Sequence, residues 1–148
     1  MTVRTLVLVD IENVIGHGGL TATEAAEAWH LVDQICNTAE RDHLVVATGA
    51  SSAPEVAFSR PRCRCLIGHG LDGADLELLA VLQHERVAAR YEQVVLFSGD
   101  GIFTDAVASL GTHGVHVTVV SRPDALSTRL RLAAGRVCLL PTLHAATA

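Results

Sequence analysis

The chain has 148 residues, a length that fits one compact domain and leaves no room for separate catalytic and binding domains. Hydrophobic residues make up 49% of the chain, which excludes intrinsic disorder, while 3% aromatic residues leave few rings on which bases could stack. The formal net charge of -5 excludes a general attraction to nucleic acid, so a polyanionic ligand would need a local basic patch or metal ions.

Six short, continuous runs of apolar residues predict strands that are covered on both faces. They lie at Thr5–Val9, Leu44–Ala47, Cys63–Ile67, Val94–Phe97, Val115–Val120 and Val137–Leu140. Helical patterns separate most of these runs, so we expect a three-layer α/β/α sandwich built on a mainly parallel sheet with right-handed crossovers. Ligands of such sheets bind beyond the carboxyl ends of the strands, and the residues after each run are therefore the first candidates for a functional site.

Five segments between the runs have helical features. They are Thr21–Glu40, Ser51–Ser59, Asp72–Arg90, Phe103–Leu110 and Asp124–Ala134. The first opens with the capping-box spacing Thr21-x-x-Glu24, and Gly111 and Gly135 stand where glycine commonly ends a helix. The segment Ser51–Ser59 fits only one or two helical turns.

The cysteines and the apolar runs indicate the compartment in which the protein works. Cys36, Cys63, Cys65 and Cys138 lie in apolar surroundings without CxxC spacing, which favours buried, reduced thiols. The apolar stretch at the N-terminus is too short for a secretory signal, and no run approaches the roughly 18 apolar residues of a membrane span. We therefore expect a cytoplasmic protein that does not contact membranes. The apolar composition also favours a homodimer.

Acidic residues stand at three of the predicted strand ends or helix starts. Asp10 ends the first run, Asp75 lies in the first turn of the helix after the third run, and Asp100 follows the fourth run. Each of them alone could be a helix cap or first-turn residue, and Asp72 with Asp75 has the spacing of a capping arrangement. A parallel sheet brings all three to one edge, where the carboxylates repel one another unless a cation joins them. Oxygen ligands without a Cys/His cage suit Mg²⁺ or Mn²⁺, so the residues predict a metal-dependent phosphodiesterase.

Three segments carry a resemblance to a known family. They are VLVDIENV (Val7 to Val14), DGADLELLAVL (Asp72 to Leu82) and LFSGDGIFTDAVASLGTHGVHVTVVS (Leu96 to Ser121). In this order and spacing they resemble the NYN domain, a branch of the PIN-like nuclease superfamily, from about Val3 to Val120. The resemblance implies a single NYN/PIN-like domain over residues 1–148, a parallel sheet of order 3-2-1-4-5 to which the sixth run can add a strand, and hydrolysis of RNA, or less often DNA, by a metal-activated water.

The same resemblance implies roles for individual residues. Asp10 would be the metal ligand at the end of the first strand, and Asn13 a polar partner that orients Asp10 or the substrate. Asp75 would be the acid on the middle helix, and Asp100 the ligand after the fourth strand. Mg²⁺ or Mn²⁺ would be the cofactor and RNA, expected to be single-stranded, the partner.

One departure from the family leaves two functions open. The family often reads S-G-D-x-D-F, whereas this chain has Ile102 at the second aspartate. Asp105 follows about one helical turn later on the same face and can supply a carboxylate, so we add it to the expected catalytic residues and metal ligands. The first function is a ribonuclease with weak activity that is better with Mn²⁺ than with Mg²⁺. The alternative is a catalytically weak or inactive NYN-like module that binds RNA or a protein partner.

Basic and histidine side chains are candidates for contacts with substrate. Arg60, Arg62 and Arg64 alternate along the chain and would form a basic stripe on one face of an extended segment. His17 and His69 lie in glycine-flanked loops after the first and third strands, toward the expected functional end. Arg122, Arg129 and Arg131, nearer the C-terminus, are further candidates for phosphate contacts.

Overall fold

The computed structural model describes residues 3–36 and 43–141, and its strands form one fully parallel sheet. The strands are β1 (Thr5–Asp10), β2 (His43–Gly49), β3 (Arg64–Gly68), β4 (Gln93–Phe97), β5 (His116–Ser121) and β6 (Arg136–Leu139). They are arranged in the order β3-β2-β1-β4-β5-β6, with β1 paired to β2 and β4 along its length. The predicted parallel sheet of order 3-2-1-4-5 with an added C-terminal strand is thereby confirmed.

Helices cover both faces of this sheet. They are α1 (Ile11–Ile15), α2 (Ala22–Ile35), α3 (Ala53–Ser59), α4 (Gly73–His84), α5 (Val87–Arg90), α6 (Thr104–Thr112) and α7 (Thr128–Ala133), with short 3-10 turns at Ala50–Ser52, Gly101–Phe103 and Pro123–Ala125. Helices α1, α2 and α3 pack on one face, and α4 to α7 pack on the other. None of the helices in the described part of the chain is long and apolar enough to cross a membrane.

The alternation of side chains along β1 explains why its apolar run is continuous. Leu6 and Leu8 point into the core beneath α4 and α6, whereas Val7 and Val9 point into the core beneath α1 and α2. All four side chains are at most 2% exposed. The central strand is therefore buried on both faces, and the carboxyl ends of its neighbours are held at one edge of the sheet.

Several helix boundaries differ from the sequence prediction. Helix α2 starts as predicted, since Thr21 and Glu24 form a complete capping box, but it ends at Ile35 because Cys36 is extended. Residues 37–40 of the predicted helix lie outside the described residues. The predicted helix Asp72–Arg90 is two helices because Arg86 adopts a φ of 56°, in the left-handed region, which interrupts the helix between α4 and α5.

Near the C-terminus the predicted helix Asp124–Ala134 begins only at Thr128. Pro123–Ala125 form a 3-10 turn, and Leu126 and Ser127 are extended before α7 starts. Helix α6 is longer than predicted, because it includes Gly111 and ends at Thr112. The chain then turns through Gly114, which has a φ of 83°.

Candidate metal centre

Asp10 is the last residue of β1 and is buried at the carboxyl edge of the sheet. Its carboxylate caps α1 by accepting a hydrogen bond of 3.3 Å from the backbone N–H of Asn13. The side chain also contacts that of Asp75. Burial raises the pKa of the Asp10 carboxyl above its ordinary value, although its hydrogen bonds with the Asp75 side chain and with the Asn13 N–H act in the opposite direction. A helix that follows a strand without a loop thus fixes this carboxylate at the strand end.

Asp75 lies in the first turn of α4 and is only 8% exposed. Its Oδ1 atom is buried and has no hydrogen-bond partner among the described residues. Burial raises the pKa of Asp75 to about 9, and the neighbouring carboxyls of Asp10 and Asp100 act in the same direction. Without a cation this side chain therefore holds its proton at neutral pH, in spite of the favourable N-terminal end of the α4 dipole.

Two further carboxylates complete the acidic group. Asp72, Asp75 and Asp100 each offer one oxygen, and these oxygens lie within 4.8 Å of one another. Asp100 accepts a hydrogen bond of 2.9 Å from the backbone N–H of Ile102, which fixes its side chain at the start of the Gly101–Phe103 turn. In the described part of the chain, no ion pair neutralises these carboxylates. Such a set of oxygen atoms suits a hard divalent cation.

The spacing of Asp72 and Asp75 left a capping role open for Asp72. The structure places Asp72 at the N-cap position of α4, but its side chain makes no capping hydrogen bond. Its φ of 60° is in the left-handed region, which side-chain-bearing residues adopt rarely. This backbone conformation brings the exposed Asp72 carboxylate to the other two acids. Because the spacing of Asp72 and Asp75 is also that of a capping box, the sequence did not indicate that Asp72 joins the other acids.

Two glycines set the position of α4, and with it the positions of Asp72 and Asp75. Gly68 ends β3 and Gly73 begins α4, and their backbones touch. A Cβ atom added to Gly68 would lie 2.0 Å from the carbonyl carbon of Gly73, a distance that no real contact allows. The absence of side chains at both positions therefore lets the helix start directly against the end of the strand.

The structure brings together three of the predicted acids, Asp10, Asp75 and Asp100, and leaves Asp105 apart. Asp105 is exposed in the first turn of α6 and is not a member of the acidic group among the described residues. Ile102, at the family's usual second aspartate, is partly buried and packs against the core beneath α4 and α6.

Glu12 has a structural role that the sequence did not reveal. Its Oε1 accepts a hydrogen bond of 2.8 Å from the backbone N–H of Gly49, and its Oε2 accepts bonds from the Gly19 N–H (3.1 Å) and the Ser52 hydroxyl (2.8 Å). The carboxylate therefore joins the loop after α1 to the end of β2. In the sequence, Glu12 lies just before a glycine-rich loop, and the backbone N–H groups of such a loop need acceptors.

A cavity of about 300 Å³ lies above Asp10, Asp72 and Asp75 and is bordered on one side by Arg122. The guanidinium Nε of Arg122 donates a hydrogen bond of 3.0 Å to the backbone carbonyl of Asn13, and its NH1 donates to Asp124. Asn13 and His17 also line the cavity. Arg129 lies on the Asp100 side, where its NH2 is 3.4 Å from the carbonyl oxygen of Gly101. Positive charge thus stands beside the acids without pairing with them.

The two predicted histidines lie in exposed loops. His17 is paired with Glu24 at 2.5 Å, and its ring Nδ1 is 2.8 Å from the carbonyl oxygen of Gly18. The hydrogen bond with Gly18 chiefly, and then Glu24, raises the pKa of His17. His69 is exposed, and the neighbouring Gly70 lines the cavity over the acids.

The expected basic stripe of Arg60, Arg62 and Arg64 is corrected by the structure. Arg64 is the first residue of β3, so it lies at the amino end of the sheet, opposite the acids. Arg60 follows α3, and its guanidinium stacks over Trp29 at 4.3 Å and pairs with Asp33. The segment before β3 turns instead of continuing as a strand, so Arg60 is separated from Arg62 and Arg64 and the three do not form one stripe.

Comparisons with known proteins bear on this arrangement. Residues 71–140 match the family model described as NYN domain. The Low amplitude and bright protein LabA of Synechococcus elongatus is 36% identical over 63 residues, which are 43% of this chain and 34% of that protein, so the match spans about a third of its length. The crystal structure of a protein of unknown function from Vibrio parahaemolyticus has a TM-score of 0.64 and 19% identity, with 94% of this chain and 93% of that chain covered. This last likeness confirms the fold.

Proposed function

We propose that this chain is a metal-dependent ribonuclease of the NYN domain family that hydrolyses RNA phosphodiester bonds, and the match of residues 71–140 to that family supports the proposal. The observation that carries the proposal is the buried Oδ1 of Asp75, which has no hydrogen-bond partner among the described atoms although two other carboxylates face it. A buried carboxylate in this situation costs free energy unless a cation occupies the site.

The residues at this site fit Mg²⁺ or Mn²⁺. Asp72, Asp75 and Asp100 would hold the ion, with Asp10 beside Asp75, and all of these ligands are carboxylate oxygens. A divalent cation bound here would neutralise the acids, polarise a phosphodiester group and lower the pKa of the attacking water. Asp105 stays a candidate ligand that would need to reach the site from the first turn of α6.

Other side chains of the site would position the substrate. Arg122 borders the cavity, and its bonds to the Asn13 carbonyl and to Asp124 fix the guanidinium there. A planar guanidinium binds phosphate oxygens well, so we assign to Arg122 the binding of an RNA phosphate. Arg129, beside Gly101, would contact a neighbouring phosphate. Asn13 borders the same cavity and could orient either Asp10 or the substrate.

A second candidate function is a module that binds RNA without cleaving it efficiently. Two observations favour it: Ile102 packs into the core at the position where the family often has a second aspartate, and Asp105 is outside the acidic group. One ion held by three carboxylates is enough to bind a phosphate, whereas catalysis by two ions needs further anionic ligands.

The protein would work in the cytoplasm, a compartment that keeps thiols such as Cys63, Cys65 and Cys138 reduced. The single-stranded form of the RNA and a homodimer stay predictions from the sequence.

The decisive experiment measures binding and cleavage on the same samples. Mn²⁺ binding is followed by calorimetry, and cleavage of end-labelled single-stranded RNA is followed with Mn²⁺, Mg²⁺ or EDTA, with DNA of the same sequence in parallel. We expect metal-dependent cleavage that Asp75→Asn abolishes. Glu77→Gln, which removes an exposed charge from the same helix, is the matched control and should cleave normally.

The outcomes separate the two candidates. If the wild-type protein binds Mn²⁺ and RNA but does not cleave, the binding module replaces the enzyme. If it binds no Mn²⁺ at millimolar concentration, the metal site itself is wrong.

A further inference from the structure

A second cavity, of about 360 Å³, lies at the end of the sheet opposite the acids. It is lined by Leu6 near the start of β1, by His43 at the start of β2 and by Arg64 at the start of β3. In a parallel sheet the first residues of neighbouring strands share one edge, and Asp10 at the end of β1 belongs to the other edge. We call this space the basic cavity; it shares no lining residue with the cavity above the acids.

The wall of the basic cavity carries excess positive charge. Among the described residues it includes Arg62, Arg64 and Arg90, against the single carboxylate of Glu85. Arg64 is engaged, since its NH1 and NH2 pair with the Glu85 oxygens at 2.6 and 2.8 Å. Arg62 is exposed and makes no hydrogen bond or ion pair with another described residue. In a chain of net charge -5, this is a local site for an anion.

One of these arginines is held in place before any ligand binds. Arg90 donates from NH1 to the backbone carbonyl of Glu85 at 3.1 Å and from NH2 to the hydroxyl of Tyr91 at 3.2 Å. Tyr91 is only 6% exposed, and its hydroxyl also bonds with His43. A guanidinium fixed in this way loses little conformational entropy when it binds a phosphate.

The floor of the basic cavity is apolar. Leu6, Val45, Val81 and Val87 line it, and each of them is at most 4% exposed. A ligand that fits both the floor and the wall therefore has a flat or apolar part joined to an anionic group. The volume of the basic cavity is within the range of about 300 to 1,000 Å³ that is typical of small-molecule sites.

We propose that the basic cavity binds a nucleoside monophosphate group, with the phosphate on Arg62 and Arg90 and the nucleoside over the apolar floor. The group can be a free nucleotide or the phosphorylated 5′ end of an RNA strand. Arginine forks bind phosphate oxygens in pairs, and one side of the nucleoside would lie against the apolar floor. The proposal uses no residue of the acidic group and does not depend on the ribonuclease activity.

The test measures binding to the full chain in EDTA, which prevents any contribution from a metal at the acidic site. The probes are AMP, adenosine and inorganic phosphate, followed by calorimetry. We expect AMP to bind at least tenfold more tightly than either of the other two, because it alone uses both the wall and the floor. AMP that binds no better than adenosine, or no better than inorganic phosphate, would overturn the proposal.

Variants give effects of opposite sign. Arg62→Gln should weaken AMP binding by about tenfold, whereas Arg136→Gln, which removes an equal charge from the exposed start of β6, should leave it unchanged. Glu85→Gln should tighten binding, because it removes a negative charge from the wall and releases the neighbouring Arg64 from its ion pair. A gain of affinity cannot come from a misfolded protein. Equal losses in Arg62→Gln and Arg136→Gln, or no gain in Glu85→Gln, would contradict the site.

Two further experiments identify the source of the ligand and distinguish the basic cavity from the acidic site. A 5′-phosphorylated RNA tetranucleotide that displaces AMP identifies the strand end as the ligand, and one that does not displace it identifies the free nucleotide. Asp75→Asn should keep AMP binding while it loses Mn²⁺ binding. Failure of the ribonuclease proposal is thus distinguishable from failure of the basic cavity.

Discussion

The carboxyl of Asp75, in the first turn of α4, lies against that of Asp10, at the end of β1, and both residues are more than 90% buried. Two buried carboxyls in contact cannot both ionise at low cost, so the pair keeps a proton to high pH. A cation that binds there displaces this proton. Protonation, metal binding and folding stability are therefore linked at this site.

The first prediction is a pH dependence of stability in the metal-free protein. Asp75 loses its proton near its ordinary pKa of 3.8 when the chain is unfolded, but only at about 9 when the chain is folded. Between these values the folded state binds more protons, so the free energy of unfolding falls as the pH rises. Urea unfolding in EDTA should thus show a lower midpoint at about pH 8.5 than at about pH 5.5. Asp75→Asn, which does not titrate, should show a flatter dependence and should be more stable at the higher pH by about 2 kcal/mol.

Mn²⁺ supplies the complementary measurement for the same linkage. Because the ion binds the ionised carboxylates, it should raise the unfolding midpoint more at the higher pH than at the lower. Equal stabilisation at both pH values would show that the metal does not bind to this pair.

The second prediction concerns Asp100→Asn. Asparagine keeps the side-chain oxygen that accepts the Ile102 N–H, so the turn should be preserved, while one negative charge leaves the acidic group. We expect cleavage to be lost and the metal-free protein to be as stable as the wild type or more so, measured by thermal unfolding. Asp100→Ala, which also removes the cap, should be less stable than Asp100→Asn by about 1 kcal/mol. An unfolded Asp100→Asn would instead assign Asp100 a purely structural role.

The third prediction concerns the carboxylate of Glu12. Glu12→Ala leaves the Gly49 N–H, the Gly19 N–H and the Ser52 hydroxyl without their acceptor, and it should lower the free energy of unfolding by about 2–4 kcal/mol. Glu12→Gln keeps one acceptor oxygen and should cost about half as much. Denaturant titration measures both values. Equal losses in the two variants would show that the hydrogen bonds do not carry the stability.

The fourth prediction tests a second ion. Asp105 is exposed, so Asp105→Asn should change the free energy of unfolding by less than about 0.5 kcal/mol, yet it should raise the Mn²⁺ concentration needed for cleavage. Ile102→Asp should cost about 1–3 kcal/mol of stability, because Ile102 packs against the core, while it lowers the Mn²⁺ requirement. Glu92→Gln, at the opposite end of the sheet, is the control for loss of an exposed charge. If cleavage and metal affinity are unchanged in both variants, there is no second ion site and the binding module is the better description.

Much of the fold was predictable because the strands are covered on both faces. Strands such as β1 and β4 read as uninterrupted apolar runs, which predict a parallel sheet with right-handed crossovers. The order of the strands was implied by the resemblance to the NYN domain and not by the runs themselves. The break at Arg86 was not predictable, since nothing in an arginine favours a positive φ.

The acids of the site were predictable to the extent that they follow strand ends. Asp10 and Asp100 come directly after apolar runs, and parallel strands bring such positions together. The place of Asp72 in the site was not predictable, because its carboxylate reaches the other acids only through a left-handed backbone conformation. Arg122 was named among the basic candidates, but its place beside the acids depends on the loop after β5 returning to Asn13.

Because of the contact between Gly68 and Gly73, glycine at these two positions is a sequence marker for the acidic group. Because any side chain at either position would separate the start of α4 from the end of β3, two glycines five residues apart are as necessary to this acidic group as the carboxylates. Relatives that hold a cation with the same helix should therefore carry glycine at both positions together with the acid two residues after the second. A relative that keeps the acid but has a larger residue in place of either glycine should have a displaced helix and no metal affinity.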